Sequence, residues 1–384
     1  MRVSFCTPWR LEKDGISDYS GYMVDALKKR GIDIGVIELR PYIGERAYYR
    51  KIAHDASTAD IVHIQFNYLY FNGTLPYRNT FLHFVKHLSI PSIMTVHEFA
   101  IGHQPLASGF SRPLNRILFN NTLFLWNALL RNLHRSMYNR VDKVIVHTQC
   151  QAEMILPLLD EAGKLTVIPH AIPTVREEEI AIASLEAKRV LHLEGKIVLS
   201  TFGFINCRKG YKTVLDAIMG LPDNIIFLIA GGKMGDDPVN NKYYDELIGE
   251  IARCGLKDRV KITGYLQKEE IPLVMAATDI VLAPFSTVAG SGSLSLTIAY
   301  HKPIIASDAP VHKEINERVP CLELFKAGDY LALGAAIKRV LGDTGRIKVL
   351  SAASREYSSR FGYGNIADMT IRLYEEVIQD YRKR

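Results

Sequence analysis

Residues 279–308 read DIVLAPFSTVAGSGSLSLTIAYHKPIIASD, and this stretch decides the fold class. An apolar run at 279–285 is followed by a Gly/Ser turn, a helical pattern at 293–300 and a second apolar run at 302–308. A strand, a helix and a strand at this spacing form neighbouring parallel strands in a sheet that helices cover. The segment therefore predicts one repeat of an α/β protein.

The same alternation of strand-like and helical patterns extends over the whole chain. It runs to about residue 170 and begins again near residue 195, which predicts two Rossmann-like, doubly wound parallel-sheet domains. We place them at 1–172 and 173–360, followed by a helix at 361–384 that we expect to cross back to the first domain. Ligands bind at the carboxyl ends of such strands, so we expect the site in a cleft between the two sheets. The strand-like runs are RVSFC, DIGVIEL, DIVHIQF, SIMTVH, KVIVHT and KLTVIP, then KIVLSTF, NIIFLIAG, RVKITG, DIVLAPF, KPIIASD and CLELF.

The composition is that of an ordinary globular protein. The chain has 384 residues, of which 48% are hydrophobic and 23% charged, and this excludes a disordered protein or a small disulfide scaffold. Five scattered cysteines without a CxxC pair favour reduced thiols. We see no signal-peptide pattern and no apolar run that could span a bilayer, so we expect a cytoplasmic protein. No nucleic-acid partner is predicted.

The positive charge is concentrated in the first half of the sequence, where residues 1–170 contain 19 Lys+Arg against 14 Asp+Glu. No acidic residue occurs between Glu98 and Asp142. Within this stretch, residues 112–140 combine Leu, Phe and Trp with arginines, as do helices that dock on anionic membranes. Two interpretations stay open: docking on the inner face of the membrane, or an ordinary helix whose apolar stripe lies in the core. The arginines are Arg112, Arg116, Arg131, Arg135 and Arg140.

The Gly/Ser turn after residue 285 predicts a phosphate site. It opens a helix, and the first backbone N–H groups of a helix are unpaired and lie at its positive end. The alternative is a flexible turn without a ligand, but the position between a strand and a helix favours the phosphate. The residues concerned are Gly290, Ser291, Gly292, Ser293 and Leu294.

A second candidate phosphate site lies in STFGFINCRKGYKTVLDAI, residues 200–218. Gly203 ends a strand, and Arg208 and Lys209 precede Gly210 at the start of a helix. Arginine binds a diphosphate through its planar fork and lysine as a point charge. Taken alone, this pair of cations is more typical of a solvated loop.

Polar residues at the ends of first-domain strands form a third group. In the loop LEKDGISDYS, Gly15 allows close backbone approach, and Ser17 and Asp18 are available as N-cap or hydroxyl ligand. For any single polar residue at a strand end, a buried and hydrogen-bonded structural role is the more common one. The strand-end residues are His63, Gln65, Asn67, His97 and Glu98.

The order of GISDYS, DIVHIQF, TVHE, VIVHT, VIPHAI, STFGFINCRKG, LIAGG, VKITGYL, ATDIVLAPF and KPIIASD resembles the retaining, nucleotide-sugar-dependent glycosyltransferases of family 4, which have the GT-B fold. The resemblance covers nearly the whole chain. It implies a UDP or GDP sugar held mainly by the second domain and a hydroxyl acceptor held mainly by the first. A lipid-linked or cell-envelope glycan is a candidate acceptor.

The resemblance also implies roles for individual residues. Lys209 matches the lysine on the diphosphate, His97 matches the histidine beside the transferred sugar, and the loop around Gly15 matches the glycine loop near the phosphate and the acceptor. Residues 264–266 match the segment that borders the base. The implied catalytic residues are His97, Arg208 and Lys209; the donor-binding residues are Gly15, Gly203, Tyr265, Leu266, Ser291, Gly292, Ser293, Leu294 and Ser295; the acceptor-binding residues are Ser17, Gln65, Asn67 and Glu98.

Three positions depart from the family pattern. Phe204 stands where an arginine usually follows the glycine, and Arg208 is a candidate to replace that charge. Two glutamates of the family fall on Val288 and Leu296, which cannot accept a hydrogen bond from the donor ribose. Only nearby serine hydroxyls are available for that contact. A degenerate GT-B protein that binds a nucleotide sugar as a sensor or partner subunit is therefore an alternative.

The sequence predicts no metal and no cofactor. It lacks Asp-x-Asp, the usual metal-binding feature of the other large glycosyltransferase fold, and His83 and His87 have no third ligand beside them. Charge on the leaving diphosphate would be stabilised by Lys209, Arg208 and helix N–H groups. An NAD-dependent dehydrogenase is disfavoured because Ser295 occupies the third glycine position of GxGxxG. An inverting GT-B enzyme or a sugar-nucleotide epimerase stays open.

Overall fold

The computed structural model describes residues 1–73, 78–98, 113–233, 238–285 and 291–384, and of residues 113–125 and 238–240 only the backbone. This described chain divides into two units. Unit 1 contains Met1–Pro169 and Ile366–Arg384, and unit 2 contains His170–Asn365. Because each unit has its own sheet and its own core, we describe each by itself.

Unit 1 is a six-stranded parallel sheet with helices. The strands are β1 (Arg2–Thr7), β2 (Asp33–Glu38), β3 (Ile61–Phe66), β4 (Ser92–Val96), β5 (Lys143–Val146) and β6 (Leu165–Val167). The helices are α1 (Gly15–Lys28), α2 (Arg46–Ala56), α3 (Phe81–Lys86), α4 (Pro113–Arg140) and α5 (Gln149–Ile155). The strand order is β2-β1-β3-β4-β5-β6. This order reverses direction at β1, as it does in doubly wound sheets.

Unit 2 repeats this architecture with the strand order β12-β11-β10-β7-β8-β9. The strands are β7 (Ile197–Phe202), β8 (Ile225–Ala230), β9 (Val260–Ile262), β10 (Ile280–Ala283), β11 (Ile304–Ser307) and β12 (Leu322–Phe325). The helices are α6 (Glu177–Ile180), α7 (Ser184–Val190), α8 (Tyr211–Met219), α9 (Pro238–Arg253), α10 (Ile271–Ala277), α11 (Gly292–Ala299), α12 (Pro310–Arg318), α13 (Tyr330–Gly342) and α14 (Thr344–Phe361).

The last helix, α15 (Tyr363–Lys383), leaves unit 2 and packs on unit 1 from Ile366 onward. Two ion pairs hold it there: Asp368 with Arg30, and Glu376 with Lys143 across 2.6 Å. The side chain of Tyr374 is also fully buried in unit 1. The C-terminus of the chain is thus part of the N-terminal unit.

The prediction of two doubly wound parallel sheets is confirmed, because every strand-like run of the sequence overlaps one of the strands and the strands form two parallel sheets. The interior strands β3 and β8 are buried along their whole length, as expected when helices cover both faces of a sheet. Three helices were not predicted, α2, α7 and α14. In α14 the buried stripe consists of Leu350, Ser354 and Tyr357, and such a narrow stripe gives a weak helical pattern. In α2 the stripe of Tyr49, Ile52, Ala53 and Ala56 has ordinary helical spacing and was missed.

The described half of α4 packs its apolar stripe into the core of unit 1. Leu130, Leu133, Met137 and Tyr138 are buried, so these side chains are not available to a membrane, and for this half the core-helix interpretation is correct. The arginines at 131, 135 and 140 are exposed on the opposite face. Within the described ranges, no helix is both long enough and apolar enough to cross a bilayer.

Candidate active site

In unit 2, the turn after β7 brings a glycine, a lysine and a serine together. Gly203 has φ +107°, and a Cβ built there would lie 3.0 Å from Cβ of Ser293 and 3.1 Å from Nζ of Lys209. A larger residue would therefore be strained and would displace both side chains. Glycine is required here by the close packing of the site itself.

Lys209 is buried, contrary to the expectation of an exposed lysine. It ends a short 3-10 turn, Cys207–Lys209, and its Nζ donates hydrogen bonds to Oγ of Ser293 over 2.7 Å and to the carbonyl oxygen of Phe202 over 3.0 Å. Nζ also lies 4.0 Å from the centre of the Phe285 ring, a cation–π contact. Burial, and next the charge of Arg208, lower the pKa of Lys209 from 10.5 to about 7.

The N-terminus of α11 lies beside this lysine. Ser291 is the N-cap: its Oγ accepts from the N–H of Leu294 over 3.4 Å and lies 3.0 Å from Oγ of Ser293. The N–H of Leu294 is thus capped and not unpaired as predicted, which leaves those of Gly292 and Ser293 as first-turn donors. Gly290 and Val288 lie outside the described residues. Two hydroxyls, two N–H groups and a buried ammonium form a site suited to a phosphate.

The position of the missing ribose-binding glutamate is filled by core packing. Leu296 packs against the apolar cluster that contains Phe285 and Ile298, so it offers nothing to a ribose. Ser295 is buried, and its Oγ lies 3.0 Å from Nδ1 of His170. Its hydroxyl is therefore already used inside unit 2, and Ser293 is the more accessible of the two serines.

Phe204, which replaces the family arginine, stacks on Tyr265. The ring centres are 5.8 Å apart with an angle of 20° between the planes, and 38% of Tyr265 is exposed. Leu266 packs against the cluster of Val198 and Leu228 behind this pair. A flat, partly exposed aromatic surface next to the phosphate site is suited to a planar base.

Arg208 is exposed, and the described residues offer its guanidinium no hydrogen bond or ion pair. Its backbone N–H is held by Oδ1 of Asn206 over 3.1 Å, which fixes the turn but not the side chain. The guanidinium is close enough to Lys209 for its charge to lower the pKa of the lysine. Arg208 is thus a second cation at the site, without the fixed contacts of the lysine.

His312 was not singled out in the sequence, although it follows the end of β11. It is fully buried, and its Nδ1 lies 2.9 Å from the carbonyl oxygen of Ser307. Burial lowers its pKa to about 4, and the charge of Lys209 contributes. Its Nε2 has no hydrogen-bond partner among the described residues. A buried histidine in the first turn of a helix, here α12, has no sequence signal of its own.

Unit 1 contains a chain of hydrogen bonds that ends at His97. Oε1 of Gln65 accepts from Nε2 of His97 over 2.7 Å, and Nε2 of Gln65 donates to Nε2 of His63 over 3.1 Å. Nε2 of His63 is therefore an acceptor, so its proton is on Nδ1, which donates to the Tyr374 hydroxyl oxygen over 2.5 Å. Burial lowers the pKa of His63 to about 3. A neutral, buried network thus orients His97.

Aromatic residues surround His97 as well. The ring of Tyr19 lies 5.1 Å from it, edge to face, and the ring of His147 lies 5.2 Å from it. Both neighbours are buried. Neither Tyr19, His147 nor Tyr374 was predicted, because helix faces and strand ends far apart in sequence come together only in the folded unit.

The remaining predicted residues of unit 1 have mostly local contacts. Asp14, not Ser17 or Asp18, is the N-cap of α1, since its side chain accepts from the N–H of Ser17 over 2.7 Å. The hydroxyl of Ser17 accepts from the N–H of Leu11 over 3.0 Å, and a Cβ at Gly15 would meet nothing within 4 Å. Gly15 thus leaves room for a ligand.

Asn67 and Glu98 form a pair at the strand ends, with Nδ2 of Asn67 donating to Oε2 of Glu98 over 2.9 Å. Oδ1 of Asn67 accepts from the N–H of Leu69, so this amide also caps a short turn. No cluster of three or more metal-ligating side chains occurs in the part of the chain that the structure describes.

Comparison with known proteins identifies the family. The profile described as Glycosyl transferases group 1 matches residues 184–357, and the profile described as Glycosyltransferase Family 4 matches residues 13–176. The chain belongs to glycosyltransferase family 4. It is accordingly a retaining hexosyltransferase that takes its sugar from a nucleotide sugar, and the predicted enzyme class is confirmed.

Relatives of this family 4 protein are named for diverse acceptors. The 2-deoxystreptamine glucosyltransferase of Streptomyces kanamyceticus is 25% identical over 299 residues, which are 76% of this chain and 72% of the relative. The phosphatidyl-myo-inositol mannosyltransferase of Mycobacterium leprae is 21% identical over 98% of this chain and 97% of the relative. One name refers to an aminocyclitol acceptor and the other to a phospholipid acceptor. Family membership therefore does not identify the acceptor of this enzyme.

Solved structures share the fold of this family 4 enzyme. HepE from Anabaena, solved with UDP and glucose, superposes with a TM-score of 0.69 and 18% identity over 98% of this chain and 100% of HepE. Sucrose-phosphate synthase from Thermosynechococcus elongatus superposes with a TM-score of 0.73 and 17% identity over 99% of this chain and 100% of that protein. The predicted GT-B fold is confirmed.

Proposed function

We propose that this enzyme transfers its sugar without a metal, from a UDP-sugar or GDP-sugar bound by unit 2 to a hydroxyl group bound by unit 1. One observation carries the proposal: a buried ammonium, two serine hydroxyls and a helix N-terminus meet beside Gly203, with Nζ of Lys209 2.7 Å from Oγ of Ser293. These groups supply positive charge and hydrogen-bond donors to a β-phosphate. None of them is a carboxylate that would hold a metal ion.

The proposed reaction needs charge stabilisation above all. When the bond between C1 of the sugar and the phosphate oxygen breaks, its electron pair stays on the β-phosphate, where Lys209 and the N–H groups of α11 stabilise it. The acceptor oxygen forms its bond to C1 on the same face, and its proton goes to the leaving phosphate oxygen. His97 lies at a strand end of unit 1, where its orientation by Gln65 suits a contact with the transferred sugar.

Of the two candidate nucleotides, we propose that the donor sugar carries UDP. HepE, with a similar fold, was solved with UDP, with UDP-glucose, and with UDP and glucose. In this chain the partly exposed ring pair of Phe204 and Tyr265 offers a flat surface to either base, and Leu296 removes the ribose contact of the family. We expect the lost contact to weaken nucleotide binding and not to abolish it.

For the acceptor, we propose a lipid-linked or cell-envelope glycan at the cytoplasmic face of a membrane. The phosphatidyl-myo-inositol mannosyltransferase of Mycobacterium leprae, which aligns over nearly the whole chain, is named for a lipid acceptor. The exposed arginines at 131, 135 and 140 and the acid-free sequence around them support contact of residues 112–140 with an anionic surface.

A donor screen tests the proposal. UDP, GDP and ADP and their hexose derivatives are compared for protection against thermal unfolding, and the protective donor is then assayed for hydrolysis and transfer with and without EDTA. We expect protection by UDP compounds and turnover that EDTA does not change. Loss of turnover in EDTA with recovery in magnesium or manganese would disprove the metal-independent mechanism. Protection without turnover would favour a nucleotide-sugar sensor, and an inverted anomer would exclude the retaining mechanism.

A further inference from the structure

The last helix brings a phenol hydroxyl to the inner end of the hydrogen-bond chain that holds His97. Tyr374 on α15 is fully buried in unit 1, and its hydroxyl oxygen lies 2.5 Å from Nδ1 of His63. Asp368 and Glu376, which form the two ion pairs of α15 with unit 1, lie on either side of this tyrosine in sequence. The docking of the whole helix therefore fixes the position of the hydroxyl.

The hydrogen-bond chain lies on one face of the sheet of unit 1. His63 and Gln65 are two residues apart on β3, so their side chains are on the same face. Thr95 on β4 pairs with Gln65 in the register of the two strands, and its Oγ1 lies 2.7 Å from Nε2 of His63. At most 2% of each of these three residues is exposed. Because solvent is excluded, each polar atom of the chain depends on the others for its hydrogen bonds.

The ring of His63 is neutral, and this makes its two nitrogens interdependent. Burial, and next the neighbouring His147, lower the pKa of His63 to about 3. A neutral imidazole has one N–H group and one lone pair, so Nε2 can accept only while Nδ1 carries the proton. In the described chain, Nδ1 has the Tyr374 hydroxyl as its sole hydrogen-bond partner. The acceptor for the proton on Nδ1 is thus supplied by the last helix.

We propose that Tyr374 is a positioning residue for sugar transfer, which acts on His97 through His63 and Gln65. Tyr374 keeps the His63 proton on Nδ1, and Nε2 of His63 therefore accepts from the Gln65 amide over 3.1 Å. The amide oxygen then faces His97 and holds the proton of that ring on Nε2, 2.7 Å away. The inference rests on the proposed contact of His97 with the transferred sugar.

Removal of the hydroxyl should reverse every hydrogen bond of the chain. The N–H group at Nδ1 of His63 would be buried without an acceptor, which is costly, whereas Nε2 has oxygens of Thr95 and Gln65 within reach. The His63 proton therefore moves to Nε2, and the amide of Gln65 turns over to present its oxygen to it. The amide N–H group then faces His97, which must accept at Nε2 and carry its own proton on Nδ1. The two rings keep the same total number of protons.

Tyr374→Phe in the full-length enzyme tests this inference. The ¹⁵N ring shifts of His63 and His97 are measured without ligand, and His63→Gln and His97→Gln variants assign the two rings. We expect the proton of His63 to move from Nδ1 to Nε2 and that of His97 from Nε2 towards Nδ1. With the donor found in the screen described above, kcat should fall about tenfold while donor affinity stays unchanged, as is typical when a supporting hydrogen bond of a functional histidine is lost.

The matched control is Tyr138→Phe. Tyr138 lies on α4, is fully buried in unit 1, and its hydroxyl has no hydrogen-bond partner within the described ranges. The control thus removes the same atom from the same core, and it should change neither the ring shifts of His97 nor kcat. An unchanged His97 tautomer in Tyr374→Phe, or an equal change in the control, would overturn the inference. A changed tautomer with unchanged kcat would support the positioning by Tyr374 and instead refute the proposed role of His97 in transfer.

Discussion

Nζ of Lys209 donates a hydrogen bond to Oγ of Ser293 over 2.7 Å, across 84 positions of sequence. The contact joins the turn after β7 to the N-terminus of α11, the two segments that the sequence separately singled out as phosphate sites. Because Gly203 has no side chain, the two groups can meet directly beneath it. The two weak motifs are therefore two halves of one site, and each strengthens the interpretation of the other.

Binding of UDP should take up a proton near pH 8. In the free enzyme, burial lowers the pKa of Lys209 to about 7, so the amine is largely neutral at that pH. A diphosphate next to it favours the charged form and raises the pKa again. Calorimetry in buffers of different ionisation enthalpy should show an uptake that approaches one proton and is absent from Lys209→Met. An uptake equal in both proteins would mean that another group titrates.

Lys209→Met should lower turnover by about a hundredfold or more, since removal of one donor to a developing anion costs roughly 3 kcal/mol. The free variant should be more stable than the wild type below about pH 7, where burial of the charged lysine is most costly. Between about pH 7 and 10.5 the folded wild type binds fewer protons than the unfolded chain, so its stability rises with pH and the difference shrinks. Chemical denaturation across pH measures this. A difference that grows with pH would contradict the assignment.

Gln65→Met should lower kcat about tenfold to a hundredfold with little change in donor affinity, a range typical for residues that orient a catalytic group. The substitution keeps the volume but removes the acceptor that holds the proton of His97 on Nε2. ¹⁵N shifts of His97 should reveal a mixture of tautomers. Thr95→Val is the control, because it removes a hydrogen bond to His63 in the same network without touching His97. Equal losses in both variants would indicate a structural role only.

Arg208→Ala should weaken UDP binding about tenfold and affect turnover less than Lys209→Met. The reason is that the guanidinium is exposed and lacks fixed contacts in the described chain, so it contributes charge and little positioning. Arg208→Lys should retain most of the affinity, and Lys338→Ala, an exposed cation on α13, should change nothing. If donor affinity and rate are unaffected in Arg208→Ala, this arginine does not compensate for the family arginine replaced by Phe204.

The enzyme should sediment with anionic liposomes at low salt and be released as salt rises, because exposed arginines bind anionic headgroups through screened charge. Substitution of Arg112, Arg116, Arg131 and Arg135 by Gln should abolish this binding. The charge-matched control replaces exposed lysines of unit 2 by Gln, namely Lys257, Lys326, Lys338 and Lys348. Absence of binding to anionic liposomes would exclude a membrane contact of the α4 arginines and favour a water-soluble acceptor.

The sequence by itself determined the layered architecture and the order of the motifs. Buried parallel strands such as β8 consist of continuous apolar runs, and these are visible in a single sequence because both faces of the strand are covered. The strand-end glycines and the Gly/Ser turn before α11 were also visible in the sequence, because helix starts and tight turns require particular residues. Local signals therefore singled out the residues of the candidate phosphate site.

Only the tertiary structure decided which groups surround each side chain of the candidate site. It buried Lys209, which lowers its pKa, and it filled the position of the ribose glutamate with the core packing of Leu296. It also brought Tyr374 from the last helix to His63, 311 positions away in sequence. Burial and such distant contacts depend on how strands and helices pack, and no periodicity or spacing within a short window of sequence encodes them.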